Sequence, residues 1–339
     1  MYNILITGFA GFIGSSLIAG LKNKYNLVAF DNFSEVSNYD IKLQRAEHLG
    51  ISSPENLQQH GGAVEAGNTT YYYADLCNVE QLENVFSNHR FSLIIHLAAL
   101  TGVRPSLQNP QAYIDVNVKG FVNLLECARK YGVNDIIYAS SSSVYGSNTE
   151  IPYSEDQRTD SPISAYAASK KADELLANVY AHLYGMNMIG LRFFTVYGPW
   201  TRPDMAAYIF MDAIHKGKPI ELFNEGKMIR DFTYVGDVVQ SISLLIDKIN
   251  DGTKGKNLVF NVGNHQPVQV MDFLNAIEEK MGKKAVISYK PIQPGDMPAT
   301  NAISDRLFSY TGFKPATTVQ QGVNDMVDWF TAVNAVSQL

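Results

Sequence analysis

Tyr166 and Lys170 stand four residues apart in Tyr166-Ala167-Ala168-Ser169-Lys170. On a helix that spacing puts a phenol and an ammonium on one face, where both can reach one hydroxyl. The ammonium favours the phenolate form of its neighbour. A phenolate so placed can take a proton from an alcohol while a hydride leaves the same carbon. Upstream, Ser140-Ser141-Ser142-Ser143-Val144-Tyr145-Gly146 supplies hydroxyls. Ser141 falls just beyond the strand Ile136–Ala139, on the edge where open parallel sheets place ligands. The chemistry spelled out is oxidation of a carbinol. Tyr166 is its acid/base, Lys170 tunes the phenol and also binds the hydride acceptor, and Ser141 orients the reacting oxygen. Taken alone, the Tyr/Lys pair fits an ordinary packed helix equally well.

A glycine turn at the N-terminus decides between these readings. Gly8-Phe9-Ala10-Gly11-Phe12-Ile13-Gly14 lies between the strand Tyr2–Thr7 and a helix over Gly11–Lys22. Glycines let the backbone approach a pyrophosphate, and the helix N-terminus offers unpaired N–H groups. A second strand, Leu27–Phe30, ends at Asp31, which can accept from both adenosine ribose hydroxyls and would repel a 2′-phosphate. No Arg or Lys occurs from Asn32 to Ile41, so NAD is favoured over NADP. Asp75-Leu76, after a third strand, can flank the adenine; Asp75 can equally be a helix cap.

The elements that position these groups alternate. Strand-like runs recur at Thr70–Tyr73, Leu93–Leu97, Ile136–Ala139 and Met188–Leu191. Helical patterns over Tyr39–Leu49, Val79–His89, Asn109–Tyr131 and Tyr166–Tyr184 separate them, and Gly50–Thr69 reads as an irregular polar surface excursion. Such alternation predicts an α/β fold, a Rossmann-type doubly wound parallel sheet with helices on both faces. After Gly198-Pro199 the elements shorten and prolines recur, as in a smaller mixed α/β substrate-binding lobe. The expected division is an NAD-binding domain over 1–192, rejoined by 235–262, and a substrate lobe over 193–234 and 263–339.

With 339 residues, a net charge of −6 and 46% hydrophobic residues, the chain can bury a full core and two domains. Mild acidity argues against nucleic acid or an anionic membrane as the main partner. No basic leader or membrane-spanning apolar run is read. Cys77 and Cys127 are the only cysteines, which predicts no disulfide or metal framework and a reducing, cytoplasmic setting.

Further motifs carry a family resemblance. They include Asp31-Asn32-Phe33, His96-Leu97-Ala98-Ala99, Gly102-Val103-Arg104-Pro105-Ser106 and Asn117-Val118-Lys119-Gly120. Downstream stand Leu191-Arg192-Phe193-Phe194-Thr195-Val196-Tyr197-Gly198-Pro199-Trp200, Arg202-Pro203-Asp204-Met205, Arg230-Asp231-Phe232-Thr233-Tyr234 and Gln293-Pro294-Gly295-Asp296. Nearly end to end, the chain resembles extended short-chain dehydrogenase/reductases of the sugar-nucleotide epimerase and dehydratase group. It is particularly similar to UDP-glucuronate 4-epimerases. The resemblance implies reversible C4 epimerisation of a UDP-hexuronate through a 4-keto sugar and tightly bound NAD. It extends the cofactor set to Phe12, Ile13, Asn32, Leu97, Ala98, Ala99 and Asn117. It also implies that Arg230 pairs with the diphosphate, that Asp296 touches the uridine ribose, and that Thr195 contacts substrate.

In related 4,6-dehydratases the positions matching Ser142 and Ser143 carry an Asp and a Glu, and nucleotide-sugar decarboxylases keep the Glu. A serine hydroxyl cannot do that acid/base work at neutral pH, so the chemistry after oxidation should stop at hydride return. Ser142 and Ser143 are then free to hold a carboxylate or the C3 hydroxyl. Arg202 is the candidate carboxylate clamp, with an ion pair as its other reading. Arg104 lies on an expected loop that can border the sugar, cap a helix or form a salt bridge. Thr101, Thr201 and Gly236 depart from the usual pattern and bear on the substrate. A 4-epimerase of a neutral or N-acetylated UDP-hexose, and a non-catalytic NAD-responsive binding protein, stand as alternatives. Apolar residues on Asn109–Tyr131 and Tyr166–Tyr184 fit a homodimer interface, or simple packing on the sheet.

Overall fold

In the computed structural model the described residues are 2–34, 39–52, 57, 62–249, 254–291 and 297–336. The chain opens with β1 (Asn3–Thr7), α1 (Phe12–Leu21) and β2 (Asn26–Asp31). Ile4, Leu5 and Ile6 are fully buried, as expected of a strand covered on both faces. Next come α2 (Tyr39–His48), β3 (Ala63–Ala66), β4 (Thr69–Tyr73), α3 (Val79–Asn88) and β5 (Leu93–His96). β3 corrects the reading of Gly50–Thr69 as wholly irregular. It pairs antiparallel with β4 alone, around Gly67 at φ 59. Its residues are exposed or half-buried, so an edge strand of this kind lacks the apolar signature of a central one.

After β5 the chain forms α4 (Val103–Gln108), α5 (Pro110–Tyr113), a π-helical turn (Ile114–Lys119) and α6 (Gly120–Lys130). The single helix expected over Asn109–Tyr131 is therefore three segments, and Arg104 sits on a short helix rather than a loop. Asn109 caps α5, with Pro110 at its first position, and the wide turn coincides with fully buried Asn117. Such turns recur at functional sites. Then follow β6 (Asp135–Ser141), a single 3₁₀ turn (Ser142–Tyr145), α7 (Ala165–Tyr184), β7 (Asn187–Phe193) and β8 (Thr195–Tyr197). Ser164 caps α7 by accepting from Ala167 N, and Gly185 ends it in the left-handed region, as helix caps prefer. The remainder is α8 (Ala206–Lys216), β9 (Pro219–Phe223), β10 (Ile229–Arg230), β11 (Phe232–Tyr234), α9 (Val235–Ile249), β12 (Asn257–Val262), β13 (Val268–Gln269), α10 (Val270–Met281), β14 (Val286–Lys290), α11 (Asp305–Thr311) and α12 (Val319–Val336).

The main sheet runs β12-β7-β6-β5-β1-β2-β4-β3. β1 is parallel to β2 and β5, β2 to β4, and β5 to β6. This is a Rossmann-type α/β sheet. The chain moves outward from β1 through β2 and β4, then returns to the other side at β5. The switch point therefore lies at the carboxyl ends of β1 and β5, where such sheets bind ligands.

Two compact units emerge. The first comprises Met1–Asn148, Gln157–Arg192 and Ile242–Phe260; the second comprises Thr149–Asp156, Phe193–Ser241 and Asn261–Leu339. The segment 149–156, placed with the first unit by the sequence reading, belongs to the second. Tyr153 exchanges backbone hydrogen bonds with Asn301 and Ile303, Glu155 accepts from Asn261 N, and Asp156 pairs with Arg306. The core of the first unit is built on Leu5, Phe30, Ile94, Phe121 and Met188. That of the second is built on Phe210, Ile220, Leu274 and Phe330, with Phe232 stacked on Phe273 at 4.0 Å. Among the described residues no helix is long and apolar enough to cross a membrane.

Candidate active site

The glycine turn joins β1 to α1. Gly8 holds φ +80, and a Cβ there would come within 2.8 Å of the Ala98 backbone. A Cβ on Gly14 would meet the Gly8 carbonyl oxygen at 2.1 Å, so only glycine lets α1 start this close to the turn. At Gly11 the added carbon would touch the Gly8 oxygen alone, at 3.0 Å; that side of the turn is open. No side chain caps α1, which leaves first-turn N–H groups, those of Phe12 and Ile13 among them, for an anion.

Asp31, at the end of β2, is buried. Its Oδ2 accepts from Ala10 N at 3.2 Å and its Oδ1 from Phe33 N at 2.7 Å. Lys42 on α2 adds an ion pair to Oδ1 at 3.2 Å. The stretch Asn32–Ile41 without Arg or Lys thus ends one residue short of the ammonium that meets Asp31. Arg45, one turn on and buried, donates to Ala10 O at 3.0 Å. The sequence marks neither cation, because charged residues on a polar helix read as its solvent face. Asn32 Nδ2 donates to Asp75 Oδ2 at 2.9 Å, and Asp75 Oδ1 accepts from Cys77 N. Asp75 caps a turn, while the cap of α3 is Asn78. An open glycine turn, an uncapped helix end and a buried carboxylate one strand away fit NAD.

At the end of β5 one hydroxyl organises the loop. Thr7 Oγ1 accepts from Leu97 N at 3.2 Å and Ala98 N at 3.0 Å, and lies 2.8 Å from His96 Nδ1. With both acceptor sites used, its proton goes to Nδ1, which leaves the ring proton on Nε2. Burial first, and Lys170 second, push His96 down to about 3, so it is neutral at ordinary pH. Asn117 ties the same loop to α7. Its Oδ1 accepts from Leu100 N, and its Nδ2 donates to Leu100 O and Ser169 Oγ. Ser169 in turn donates to Tyr166 O at 2.8 Å. The amide of Asn117 is thus directed at the protein, shaping the loop that carries Ala98 and Ala99. Thr7 and His96 were not among the expected site residues; only proximity to the glycine turn marks them.

Ser141 ends β6 and caps the 3₁₀ turn. Its Oγ accepts from Ser143 N at 3.2 Å and from Ser143 Oγ at 2.9 Å. Ser142 and Ser143 are half-buried, as is Tyr166 on the first turn of α7. The Tyr166 ring meets Tyr113 edge-on at 6.1 Å, and Tyr113 OH donates to Thr101 O. Lys170 is 1% exposed and pairs with Asp173 at 3.0 Å. Glu174 accepts from Ser140 Oγ at 2.7 Å and is forked by Arg192 at 2.8 and 2.9 Å. Burial pushes the Glu174 carboxyl up, but the Arg192 guanidinium and Ser140 more than reverse this and hold it below its ordinary range. Arg104 is exposed on α4.

In the second unit, β8 pairs in parallel with β11 so that Thr195 faces Phe232 in register, and Thr195 N donates to Asp231 O. Asp231 is fully buried. Its carboxylate accepts from Asn264 N, His265 N, Ala302 N and Thr233 Oγ1 at 2.7 to 3.1 Å, fixing three segments around its neighbour. That neighbour, Arg230, donates to the carbonyls of Ile229 and Pro298. Arg202 forks Asp204 at 3.0 and 2.8 Å. The left-handed residue of its loop is Trp200, at φ 65, while Thr201 is fully buried. A Cβ at Gly236 would come within 2.6 Å of the Tyr234 ring, so this packing calls for glycine. Asp296, with Gln293-Pro294-Gly295, lies outside the described residues.

Residues 4–263 match the NAD dependent epimerase/dehydratase family. The chain belongs to that family. Over 341 residues it is 44% identical to Protein CapI of Staphylococcus aureus, covering 96% of this chain and 98% of the relative. Over 342 residues it is 40% identical to a probable UDP-glucuronate 4-epimerase of Rhizobium meliloti, covering 96% of each. Among solved structures it is similar to UDP-glucuronic acid 4-epimerase from Bacillus cereus in complex with UDP-glucuronic acid and NAD. That match has a TM-score of 0.86 at 28% identity and covers 98% of this chain and 99% of the other. The likeness spans the whole family fold, glycine turn and Tyr166 helix included.

Proposed function

We propose that this chain catalyses the reversible C4 epimerisation of a UDP-hexuronate, interconverting UDP-glucuronate and UDP-galacturonate. The carrying observation is the turn Ser141–Ser143, which offers hydroxyls hydrogen-bonded to one another where a dehydratase needs an acid and a base. The two carboxylates of the Tyr166 helix are both engaged: Glu174 by Arg192 and Ser140, Asp173 by Lys170. Among the described residues of the Tyr166 helix and the serine turn, Tyr166 is then the group left to exchange a proton with the sugar.

Tyr166 takes the proton of the C4 hydroxyl while Ser141 holds that oxygen. NAD, when bound, supplies the acceptor and later the donor of the C4 hydride. Hydride return to the opposite face of the turned-over ketosugar, with Tyr166 giving its proton back, inverts C4. A 4-keto uronate is a β-keto acid and readily loses carbon dioxide, so its carboxylate must be held and C5 left unprotonated. Arg202 is assigned to the carboxylate and Arg230 to the diphosphate, with Ser142 and Ser143 assigned to the carboxylate or the C3 hydroxyl. Thr195 and Arg104 contact the sugar, and Asp296 the uridine ribose. Gly8, Gly11, Gly14, Asp31, Asn32, Asp75, Leu76 and Leu97–Ala99 hold the cofactor.

Tyr166→Phe should retain bound NAD and UDP-sugar while kcat falls by about 10²–10⁴-fold. Near-normal turnover in that variant would sink the assignment. The wild-type protein should turn over without added NAD. A 4-epimerase of neutral UDP-hexoses is the competing reading, favoured by the Asp204 carboxylate that occupies Arg202. Relative turnover of UDP-glucuronate, UDP-glucose and UDP-N-acetylglucosamine separates the two. The working form in this reading is a cytoplasmic homodimer. α7 exposes Leu175, Val179 and Leu183 at 43–61% along one helical stripe, and sedimentation at the mass of a single chain would refute the dimer.

A further inference from the structure

One carboxylate on the Tyr166 helix, Asp173, has no part in the chemistry so far. Lys170 Nζ lies 3.0 Å from Asp173 Oδ2, with both side chains 1% exposed. The other carboxylate oxygen, Asp173 Oδ1, is buried without a hydrogen-bond partner among the described residues. Buried carboxylates are normally satisfied at both oxygens, and buried ion pairs are poor sources of stability. A half-satisfied carboxylate against the catalytic ammonium therefore calls for an account beyond packing.

The surrounding charged groups are already engaged. On the same helix Glu174 is held by Arg192 of β7 and Ser140 of β6. His96 of β5 is neutral, and burial pushes the Tyr138 hydroxyl of β6 well up. Tyr145 of the 3₁₀ turn accepts from Arg192, and Tyr113 of α5 donates to a carbonyl. Asp115 and Lys119 of the π turn and Arg104 of α4 are exposed. Glu126 of α6 is taken by Arg129 and by Tyr180 of α7. Among the described residues Asp173 is the one carboxylate paired with Lys170. Burial raises its carboxyl, Lys170 reverses only part of that rise, and the net is a carboxyl pushed up to about 6, so it is charged at neutral pH and neutral in mild acid.

We propose that Asp173 is a positioning residue for the Tyr166–Lys170 pair: its carboxylate anchors the ammonium and offsets part of the positive charge that the phenol experiences. The inference rests on Tyr166 being the acid/base of the epimerase. An ammonium favours phenolate, and a carboxylate beside the ammonium opposes it. An epimerase needs Tyr166 as a base in one half of the cycle and as an acid in the other. A phenol held too firmly as phenolate returns its proton poorly, and catalysis is best when neither form dominates.

Asp173→Asn removes the charge and keeps the shape. The acid limb of the kcat/KM profile should then move down by about one pH unit. Tyrosinate absorbance gives a readout independent of turnover. Subtracting the titration of the Tyr166→Phe variant, in each Asp173 background, isolates the Tyr166 phenol, and it should move by the same amount. Asp173→Ala removes the same charge in a smaller shape and must give the same shift, which guards against misfolding of either variant. If both titrations stay in place while the thermal midpoint falls, Asp173 is merely structural and the proposal is overturned. Full turnover by Tyr166→Phe, with no phenol isolated by the subtraction, would instead overturn the acid/base reading on which it rests.

Discussion

Arg192 in the first unit and Arg202 in the second close the same two-pronged fork on a carboxylate. Arg192 reaches Glu174 at 2.8 and 2.9 Å, and Arg202 reaches Asp204 at 3.0 and 2.8 Å. Distances alone do not tell them apart. Arg192 and Glu174 are 4% and 5% exposed; the guanidinium lies 4.9 Å from the Tyr145 ring centroid, and Ser140 holds the carboxylate from β6. Arg202 and Asp204 are 20% and 59% exposed, and they stand only two positions apart in the chain. A buried fork with several supports cannot exchange its carboxylate without stranding a charge. An open one exchanges it at little cost. Identical geometry therefore serves as scaffold in one unit and as a replaceable partner in the other.

The most severe way to break this contrast is to remove the acid from each pair. Glu174→Ala leaves a buried guanidinium unpaired and should lower the unfolding free energy by about 3–5 kcal/mol. Asp204→Ala should lower it by no more than about 1 kcal/mol. Denaturant midpoints at constant slope would check both. Equal losses would mean that burial does not separate the two forks.

A smaller effect distinguishes function from fold. Arg202→Ala should change the thermal midpoint little, since the ion pair it dissolves is open to solvent. Its KM for UDP-glucuronate should rise by about 10–100-fold, the worth of a hydrogen bond to a charged group, while turnover of a neutral UDP-hexose is untouched. A loss that is equal for both sugars would remove Arg202 from the carboxylate and leave it a loop anchor.

The same contrast explains which features are legible in the sequence. The glycine turn, Asp31 and the Tyr166/Lys170 spacing are legible because local geometry dictates them: a turn, a strand end, one helical face. β3 is not, because an edge strand that is half-exposed on both faces has no apolar rhythm. The π turn is not, because its cause is a long-range tie from Asn117 to Leu100 and Ser169. Lys42 and Arg45 look like the polar face of a helix until α2 folds back on the glycine turn. Asp173 is a different case. Its spacing from Lys170 is readable at once, but that the pair is buried depends on the elements around α7. For the arginines, motif likeness nominates Arg202 and Arg230, and burial is what distinguishes them from Arg192.

Titration sharpens the comparison most finely. His96 is held neutral down to about 3 in the folded chain against an ordinary value of 6.5. Below pH 6.5 the unfolded chain takes up a proton that the folded chain refuses. The stability contributed by neutral His96 is thus complete above 6.5 and is lost progressively as the pH falls toward 3, at about 1.4 kcal/mol per pH unit. Asp173 acts oppositely between its ordinary value of 3.8 and about 6, because the folded carboxyl keeps its proton longer. The quantity to measure is therefore the difference in slope between wild type and His96→Asn, in which the Asp173 contribution cancels. The variant, which keeps an acceptor for Thr7, should show the shallower loss. His265 of the second unit is lowered too, by burial first and Lys314 next, while Asp231 and Asp305 oppose the shift. It is half-buried, so His265→Asn should change the slope less than His96→Asn does. The reverse order would mean that neighbouring charge, rather than burial, governs the ionisable groups of both units, and the distinction between the two arginine forks would lose its physical basis.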